Sequence, residues 1–449
     1  MSSEHSEQKT FSVAAPLYCP YLNFEVRYQG SIDYHQHLPF SHNPFTLPAL
    51  GCSGSPVLID KEGRFFGFLS QTGFEGSTFA FDGFGELTVC VPEGQELFVD
   101  ESGDRERAWR KYNTEVMRRI GMQPLVDPPS FWADLEYCTW VEQGYIARKH
   151  TSKAKPVNTH DVLTHSFVAD YLDKIEEFGY PPGKFTLDHG WGIGSRGSGF
   201  GSWTPDPAKF PDFRDTAKLI AGRGFTPGLW LGFPKIHPQS EAAKRRPELR
   251  GTASFLDAEP NQESGMWYLA DCPSLEAYCR ETLEPYREMG YRKFKIDMSY
   301  NYKHEMIRIH RVLYRVAKAI DPGIEMEFHV PDIFAMQYGD VIRTNDIWAT
   351  PFLPWKELTL ERYEVCYHSS AGRIINRDHI AGNHHIYTTE KVFLDHLAMY
   401  ERGIGYPVVS LLPHHYGTRC VEETGRLLWQ YAHGSKACIS PCHECSPAR

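Results

Sequence analysis

Between Phe11 and about Pro92 the chain alternates short apolar runs with turn residues, as in Phe24-Glu25-Val26-Arg27-Tyr28 and Arg64-Phe65-Phe66-Gly67-Phe68-Leu69. Alternation of period two, broken by turns, predicts half-buried antiparallel strands and hence a β-sandwich. Thr78-Phe79-Ala80-Phe81 and Glu86-Leu87-Thr88-Val89-Cys90-Val91 extend it, and Asp82-Gly83 between them predicts a hairpin turn. The pattern becomes helical from Glu101 to Met122, and Pro124, Pro128 and Pro129 then mark a domain boundary. Residues 1–10 are polar and lack an apolar core, so they are expected to be disordered and to be neither a signal peptide nor a membrane anchor.

After Pro129 strands alternate with amphipathic helices, the pattern of a parallel α/β sheet or barrel. Strands are predicted over Trp132–Gln143, Lys184–Asp188, Phe225–Phe233, Lys293–Ser299, Ile324–Val330 and Val341–Asp346, weakly near Ile374, and over Tyr406–Leu412. Helices are predicted over Asp161–Phe178, Arg214–Arg223, Leu275–Met289 and Glu305–Ile320; in the first, Val162, Leu163, Phe167, Val168, Tyr171, Leu172 and Ile175 recur at helical spacing. Eight strands are the number a (β/α)8 TIM barrel requires. The predicted organisation is an N-terminal antiparallel β-sandwich domain with its helical connector over 11–123, the barrel over 124–420, and a closing helix (Val421–Ala432) and tail over 421–449.

Composition narrows the class. A net charge of −10 without a concentrated basic patch argues against nucleic acid, and no apolar run reaches the roughly 18 residues a membrane span needs. Eleven cysteines, an odd number scattered through predicted strands and helices, suit reduced thiols, so a soluble cytoplasmic protein is expected. Aromatic residues make up 14% of the chain, with ten Trp, and exposed aromatic faces are one way to bind sugar rings. Two histidine-bearing stretches raise the question of a metal. Cys438, Cys442 and Cys445 with His443 between them have the residue types to hold zinc but lack a second ligand pair of usual spacing, and His35 and His37 on one strand face lack a third ligand and read more simply as ordinary surface.

The chemistry concentrates in Lys293-Phe294-Lys295-Ile296-Asp297-Met298-Ser299, an apolar β-prone run that carries a lysine and an aspartate at its end. Two positions apart on a strand, Lys295 and Asp297 share a face and can converge on one ligand, unless they are a buried ion pair holding the barrel together. The other strand ends carry Asp188, His189 and Trp191, then Trp230, then Glu327 and His329, then Arg343 and Asp346. Barrel enzymes keep their active sites at these carboxyl ends. Carboxylates, one lysine, one arginine and several tryptophans, without a phosphate-cradling glycine loop, suit glycosidic bond hydrolysis.

At these residues the sequence, from about Trp132 to Leu412, resembles the α-galactosidase and α-glucosidase superfamily, glycoside hydrolase clan D, families 27, 31 and 36. Leu187-Asp188-His189-Gly190-Trp191 resembles the family's Asp-Asp-Gly-Trp segment, and Gly201-Ser202-Trp203, Lys209-Phe210-Pro211 and Gly228-Leu229-Trp230 resemble its Gly-Asp-Trp, Lys-Phe-Pro and Gly-Leu-Trp run. Lys295-Ile296-Asp297 matches the segment that carries the nucleophile, Arg343-Thr344-Asn345-Asp346-Ile347-Trp348 the segment that carries the acid/base, and Gly405-Tyr406-Pro407-Val408-Val409-Ser410-Leu411 the last barrel strand. The resemblance implies Asp297 as nucleophile and Asp346 as acid/base of a retaining reaction without cofactor. Asp346 should then have a raised pKa, and Lys295 should keep Asp297 charged. It further implies that Asp188, Lys295 and Arg343 hold sugar hydroxyls and that Trp191 or Trp230, with Trp203 nearby, offers a ring face. Glu327 reads equally as a hydroxyl acceptor or as a barrel-interior carboxylate paired to a base.

The sequence departs from the family in three places. His189 stands where the second Asp of the pair belongs, which leaves the sugar configuration open. Arg343 precedes Asp346 by three positions rather than four. About 35 residues follow the last strand, too few for the large C-terminal β-domain common in these families. His384, His385, His414 and His415 lie near strand ends, where they line a subsite wall or pack loops. The expected activity is that of an exo-acting α-glycosidase on a small soluble α-glycoside or oligosaccharide, with no nucleic-acid or membrane partner and self-association as a homo-oligomer left open. The alternatives are a carbohydrate-binding or regulatory protein that lost turnover, and a metal-dependent hydrolase or isomerase.

Overall fold

The computed structural model describes residues 6–14, 24–26, 55–70, 77–152, 154–195, 197–253, 266–298, 303–328, 333–344, 349, 355–380, 388–400 and 405–434. Among the described residues seven strands come first: β1 (Glu7–Ser12), β2 (Phe24–Val26), β3 (Val57–Ile59), β4 (Phe65–Phe68), β5 (Thr78–Phe81), β6 (Glu86–Val91) and β7 (Leu97–Asp100). They form two sheets, ordered β1-β6-β5-β2 and β3-β4-β7. Phe66 and Phe68 of one sheet pack on Phe79, Phe81, Leu87 and Val89 of the other, which makes the predicted sandwich. The pairing is antiparallel except between β2 and β5, which run parallel. The predicted hairpin forms, and Asp82 Oδ1 holds it by accepting from the backbone of Phe84, Gly85 and Glu86 at 2.7, 3.0 and 2.9 Å.

One expectation fails at the amino end. Glu7–Thr10 are not disordered but pair in register with Val91–Thr88. Backbone hydrogen bonds to a sheet edge recruit a strand without an apolar run, so the polar composition hid it.

The connector is a helix, Arg105–Ile120, started by Asp104, whose side chain accepts from Arg107 N, and ended by Gly121 at φ +67°. Its buried Trp109 meets Phe65 of the sandwich edge-on at 5.1 Å and lies flat against His368 of the barrel domain at 5.1 Å. The helix and β4 thereby share one core with the outward-facing Ile342 and Ile375 of the barrel.

The barrel strands are β8 (Glu136–Cys138), β9 (Lys184–Leu187) and β10 (Thr226–Leu231). A three-stranded excursion follows, with β11 (Lys235–Ile236), β12 (Arg250–Ala253) and β13 (Trp267–Leu269). Then come β14 (Lys293–Ile296), β15 (Glu325–Phe328), β16 (Val341–Arg343), β17 (Ile374–His379) and β18 (Tyr406–Val409). The eight barrel strands close in the order β10-β14-β15-β16-β17-β18-β8-β9, all parallel. Side chains alternate across each strand, so Phe294 and Ile296 join the core under the outer helices while Lys293 and Lys295 point into the barrel.

Several boundaries move. The predicted strand Trp132–Gln143 is three residues long; a 3-10 turn, Ser130–Ala133, precedes it and a helix, Trp140–His150, follows. A short apolar run does not distinguish strand from buried helix. The segment near Ile374 is a six-residue, fully buried strand. Trp355–Ser369 is a helix that periodicity missed, because its apolar residues are spread around it. The closing helix runs from Thr418 to His433. Among the described residues no helix is long and apolar enough to cross a membrane. His35, His37, His384, His385, Cys438, Cys442, His443 and Cys445 lie outside the described residues.

Candidate active site

Inward-facing side chains fill the barrel in layers. At the lower end Lys184 of β9 pairs with Glu325 of β15 at 3.1 Å and donates to Trp132 O at 2.7 Å. Above it, Lys293 of β14 bonds Glu136 and lies 2.7 Å from Glu327 Oε2. The same Glu327 oxygen accepts from Asn376 Nδ2 at 2.8 Å and Tyr406 OH at 3.1 Å. Burial alone would raise the Glu327 pKa, but the charges of Lys293, Lys295 and Arg343 outweigh it and hold the carboxyl at about 2. One of the two readings of Glu327 therefore describes its Oε2, which is committed to the barrel interior. Its Oε1 has no hydrogen-bond partner among the described residues, with Arg343 Nε 3.8 Å away.

At the carboxyl ends of the strands the charges change partners. Lys295 Nζ lies 2.6 Å from Asp188 Oδ2, which also accepts from Cys138 Sγ at 3.1 Å. Asp188 is fixed by Thr139 Oγ1 on its backbone N–H at 2.9 Å, and its Oδ1 accepts from His189 N at 2.8 Å. Burial opposes both charges; Lys295 nevertheless holds Asp188 below the ordinary carboxylate value, and Asp188 lifts Lys295 well above the ordinary lysine value. The pair is ionised.

Asp297 follows β14, and its backbone N–H donates to Leu231 O at 3.0 Å. Its Oδ2 accepts from Trp230 Nε1 at 3.0 Å and faces Arg343 Nη2 at 3.4 Å, while its Oδ1 accepts from Met298 N at 2.6 Å. Met298 reaches that oxygen from a left-handed backbone, φ +62°, strained for a residue with a long side chain. About Asp297 one number decides: 21% of its side chain is exposed, against 4% for Asp188, 1% for Glu327 and none for Asp378. Of these four carboxylates it is the one a ligand in the barrel mouth reaches.

His189 is half-buried, with its ring flat on Trp230 at 4.1 Å and Nδ1 3.1 Å from His160 Nε2. Burial and the neighbouring His160 push its pKa well below the ordinary histidine value, so it is neutral where the resemblance puts a carboxylate. The tryptophans correct an expectation. Trp191, Trp203 and Trp230 are all buried, so none presents an open ring face. Trp191 stacks on Phe213 at 5.3 Å and donates to Trp230 O at 3.0 Å; Trp203 donates to Tyr278 OH at 2.8 Å. Their indoles hold the loops around the site, and Trp230 contributes its N–H to Asp297. His415 bonds Glu142 at 2.7 Å and stacks on Tyr145 at 3.9 Å, and His414 packs on Phe178, so this pair packs a loop. His329 and Asp346 lie outside the described residues.

The weak strand expected near Ile374, β17, carries site neighbours that the sequence did not single out. Asp378 Oδ1 accepts from Arg343 Nη1 at 3.1 Å, and His379 Nε2 lies 3.4 Å from the same oxygen. Asn376 and Asp378 share a strand face as Lys295 and Asp297 do, which was the available signal. Among the described residues one trio, Glu106, Glu364 and His368, brings three metal-type ligand atoms within 4.8 Å. It sits at the sandwich–barrel junction, where Arg105 Nη2 already lies 2.9 Å from Glu364, a poor setting for a cation.

No protein-family model matches the chain, but its fold matches solved structures. An α-galactosidase from Thermus thermophilus in complex with p-nitrophenyl α-D-galactopyranoside superposes with a TM-score of 0.62, at 17% identity, over 87% of this chain and 78% of that one. The fold is that of known α-glycosidases. A glycoside hydrolase family 31 α-xylosidase from a soil metagenome, complexed with xylose, matches at a TM-score of 0.60 and 11% identity over 95% of this chain and 64% of its own. A family 36 α-galactosidase from Geobacillus stearothermophilus in complex with 1-deoxygalactonojirimycin matches at 0.54 and 15% over 84% and 55%.

Proposed function

We propose that this protein is a retaining, exo-acting α-glycosidase that hydrolyses small soluble α-glycosides by double displacement. The observation that carries the reading is Asp297: a partly exposed carboxylate at a barrel strand end, each oxygen already oriented by an N–H donor and flanked by an ionised Lys295–Asp188 pair. Asp297 attacks the anomeric carbon and forms a glycosyl ester while the leaving oxygen takes the proton of Asp346; Asp346 then removes a proton from water, which displaces Asp297. Asp346 follows Arg343 by three residues, and Arg343 already reaches Asp297. The retaining reaction requires the two carboxyl groups to lie about 5 Å apart. Lys295, Asp188 and Arg343 are the proposed hydroxyl ligands, with His189 as a neutral one and Glu327 through Oε1. Relatives of fold were solved with an aryl α-galactoside and with xylose, so hexopyranosides and pentopyranosides of the α series are the substrates to try first. A reducing, cytoplasmic setting suits the free thiols of Cys138, Cys279, Cys366 and Cys420.

The test is a panel of nitrophenyl α-glycosides with the wild type and Asp297→Gly. Turnover should vanish in the variant and return in part with azide, giving a β-glycosyl azide. An α-azide, or turnover that ignores Asp297, rejects the nucleophile. A silent panel with sugar binding intact favours a carbohydrate-binding protein that has lost turnover, a reading to which His189 lends support.

A further inference from the structure

His189 stands where the resemblance puts a carboxylate, and aromatic packing holds its imidazole in one orientation. The ring lies flat on Trp230 at 4.1 Å and nearly parallel to the half-buried Trp140 at 6.2 Å, with Phe200 edge-on at 5.4 Å. What remains to be set is which ring nitrogen carries the proton.

The order of protons starts from a backbone N–H. Asn158 caps the short helix Thr159–Val162: its Oδ1 accepts from His160 N at 3.0 Å, which identifies that atom as the amide oxygen. His160 Nδ1 lies 2.6 Å from the same oxygen, so it bears a proton and donates. A neutral imidazole has one ring proton, which leaves His160 Nε2 an acceptor, 3.1 Å from His189 Nδ1. His189 Nδ1 therefore donates. His189 is itself neutral, because burial and the neighbouring His160 push its pKa well below the ordinary value, so its Nε2 is a bare acceptor. That nitrogen is buried and makes no hydrogen bond among the described residues; the backbone of Ser195, which favours a proton on the ring, forms none with it. Buried acceptors are nearly always satisfied, and this one adjoins the mouth. Trp230, against the ring, donates to Asp297 at 3.0 Å, and the Asp297 charge acts on the imidazole.

We propose that His189 determines specificity: Asn158 and His160 hold its proton on Nδ1, so that Nε2 accepts from one free hydroxyl of the sugar. A substituent that offers only acceptors at that position, such as an O-methyl, sulfate or carboxylate group, is refused. A carboxylate in place of His189 would accept through two oxygens and add a charge; the imidazole accepts once and adds none. Asn158 and His160 are positioning residues, since they act through His189. The identity of the ligand rests on the glycosidase reading of the site, whereas the order of protons does not.

Long-range proton–nitrogen-15 correlation NMR of the wild type reads the proton order, with the His189 signals identified by their loss in His189→Gln. A protonated Nδ1 and a bare Nε2 are expected; a proton on Nε2 overturns the proposal. His160→Phe keeps a ring against His189 but removes the acceptor, so the form protonated on Nε2 should appear, and an unchanged His189 overturns the positioning role. Selection is read as a cycle between side chain and hydroxyl. The probes are p-nitrophenyl α-galactopyranoside and α-xylopyranoside with their mono-deoxy forms, or the free sugars where binding alone is measured. Removing one particular hydroxyl should cost the wild type about ten- to a hundredfold in kcat/KM or Kd, and less than about twofold in His189→Phe. His189→Gln, whose amide oxygen accepts where Nε2 did, should restore most of the difference. Should His189→Phe fail to fold, His189→Leu takes its place. Equal losses in wild type and variant at every position overturn the selection. A bare Nε2 in a protein that neither cleaves nor binds any of these sugars rejects the glycosidase reading itself, and the selective role falls with it.

Discussion

Two layers of the barrel interior use the same residue types and do opposite things with them. In the middle layer Lys293 sits between Glu136 and Glu327, and Asn376 and Tyr406 complete the bonds. Nearer the carboxyl ends of the strands, Lys295 of β14, Asp297 just after it and Arg343 of β16 form the mouth. The middle layer is buried, and Lys293 is paired with both of its carboxylates, Glu327 through its Oε2. Among the described residues the mouth leaves Asp297 partly exposed, and a buried ion-pair network is by itself no sign of a site. Depth, not composition, separates scaffold from chemistry.

The sharpest way to test that separation is to change a charge in each layer. In the mouth, with Asp297 as the proposed nucleophile, Asp297→Asn should lower kcat by about 10³- to 10⁵-fold while leaving the unfolding transition nearly in place; a melt shifted as far as the activity would erase the distinction. In the middle layer, Lys293→Met strands Glu136 and Glu327 without their cation and should cost about 3–5 kcal/mol in urea unfolding.

Next in size are opposite pH slopes from two acids on one strand. Glu327, lowered from 4.5 to about 2, contributes stability that is present above pH 4.5 and is lost as pH falls toward 2. Glu325, raised by burial from 4.5 to about 7 against the pull of Lys184 and Lys293, is most favourable when protonated, so it costs stability as pH rises from 4.5 to 7. Glu325→Gln should flatten the upper slope and Glu327→Gln the lower, each by about 3 kcal/mol over its window in pH-dependent denaturation. The smallest effect belongs to Cys138, whose thiol is a weak donor to the Asp188 that Lys295 already holds. Cys138→Ser should change stability by less than about 1 kcal/mol and leave the pH dependence of turnover alone.

The sequence showed the strands of the barrel and the two faces of β14, because a period of two follows from backbone geometry whatever the neighbours do. It also singled out Lys295, Asp297, Asp188 and Arg343, since charge in an otherwise apolar strand needs a partner or a purpose. β17 was read weakly, because Asn376, Arg377, Asp378 and His379 break the apolar run that identifies a buried strand. The tryptophans were read as ring faces, because nothing in the order of residues says that Phe213 and Tyr278 would close over Trp191 and Trp203.

What the chain determined by itself was local: which segments extend, which coil, and which side chains share a face. Barrel closure decided the rest. It placed Asp297, Arg343 and Asp378 in one chain of contacts across separations of 46 and 35 residues. It also decided which of several equivalent carboxylates stays in reach of solvent. Spacing along a strand fixes direction but not depth, and depth depends on what folds over the top.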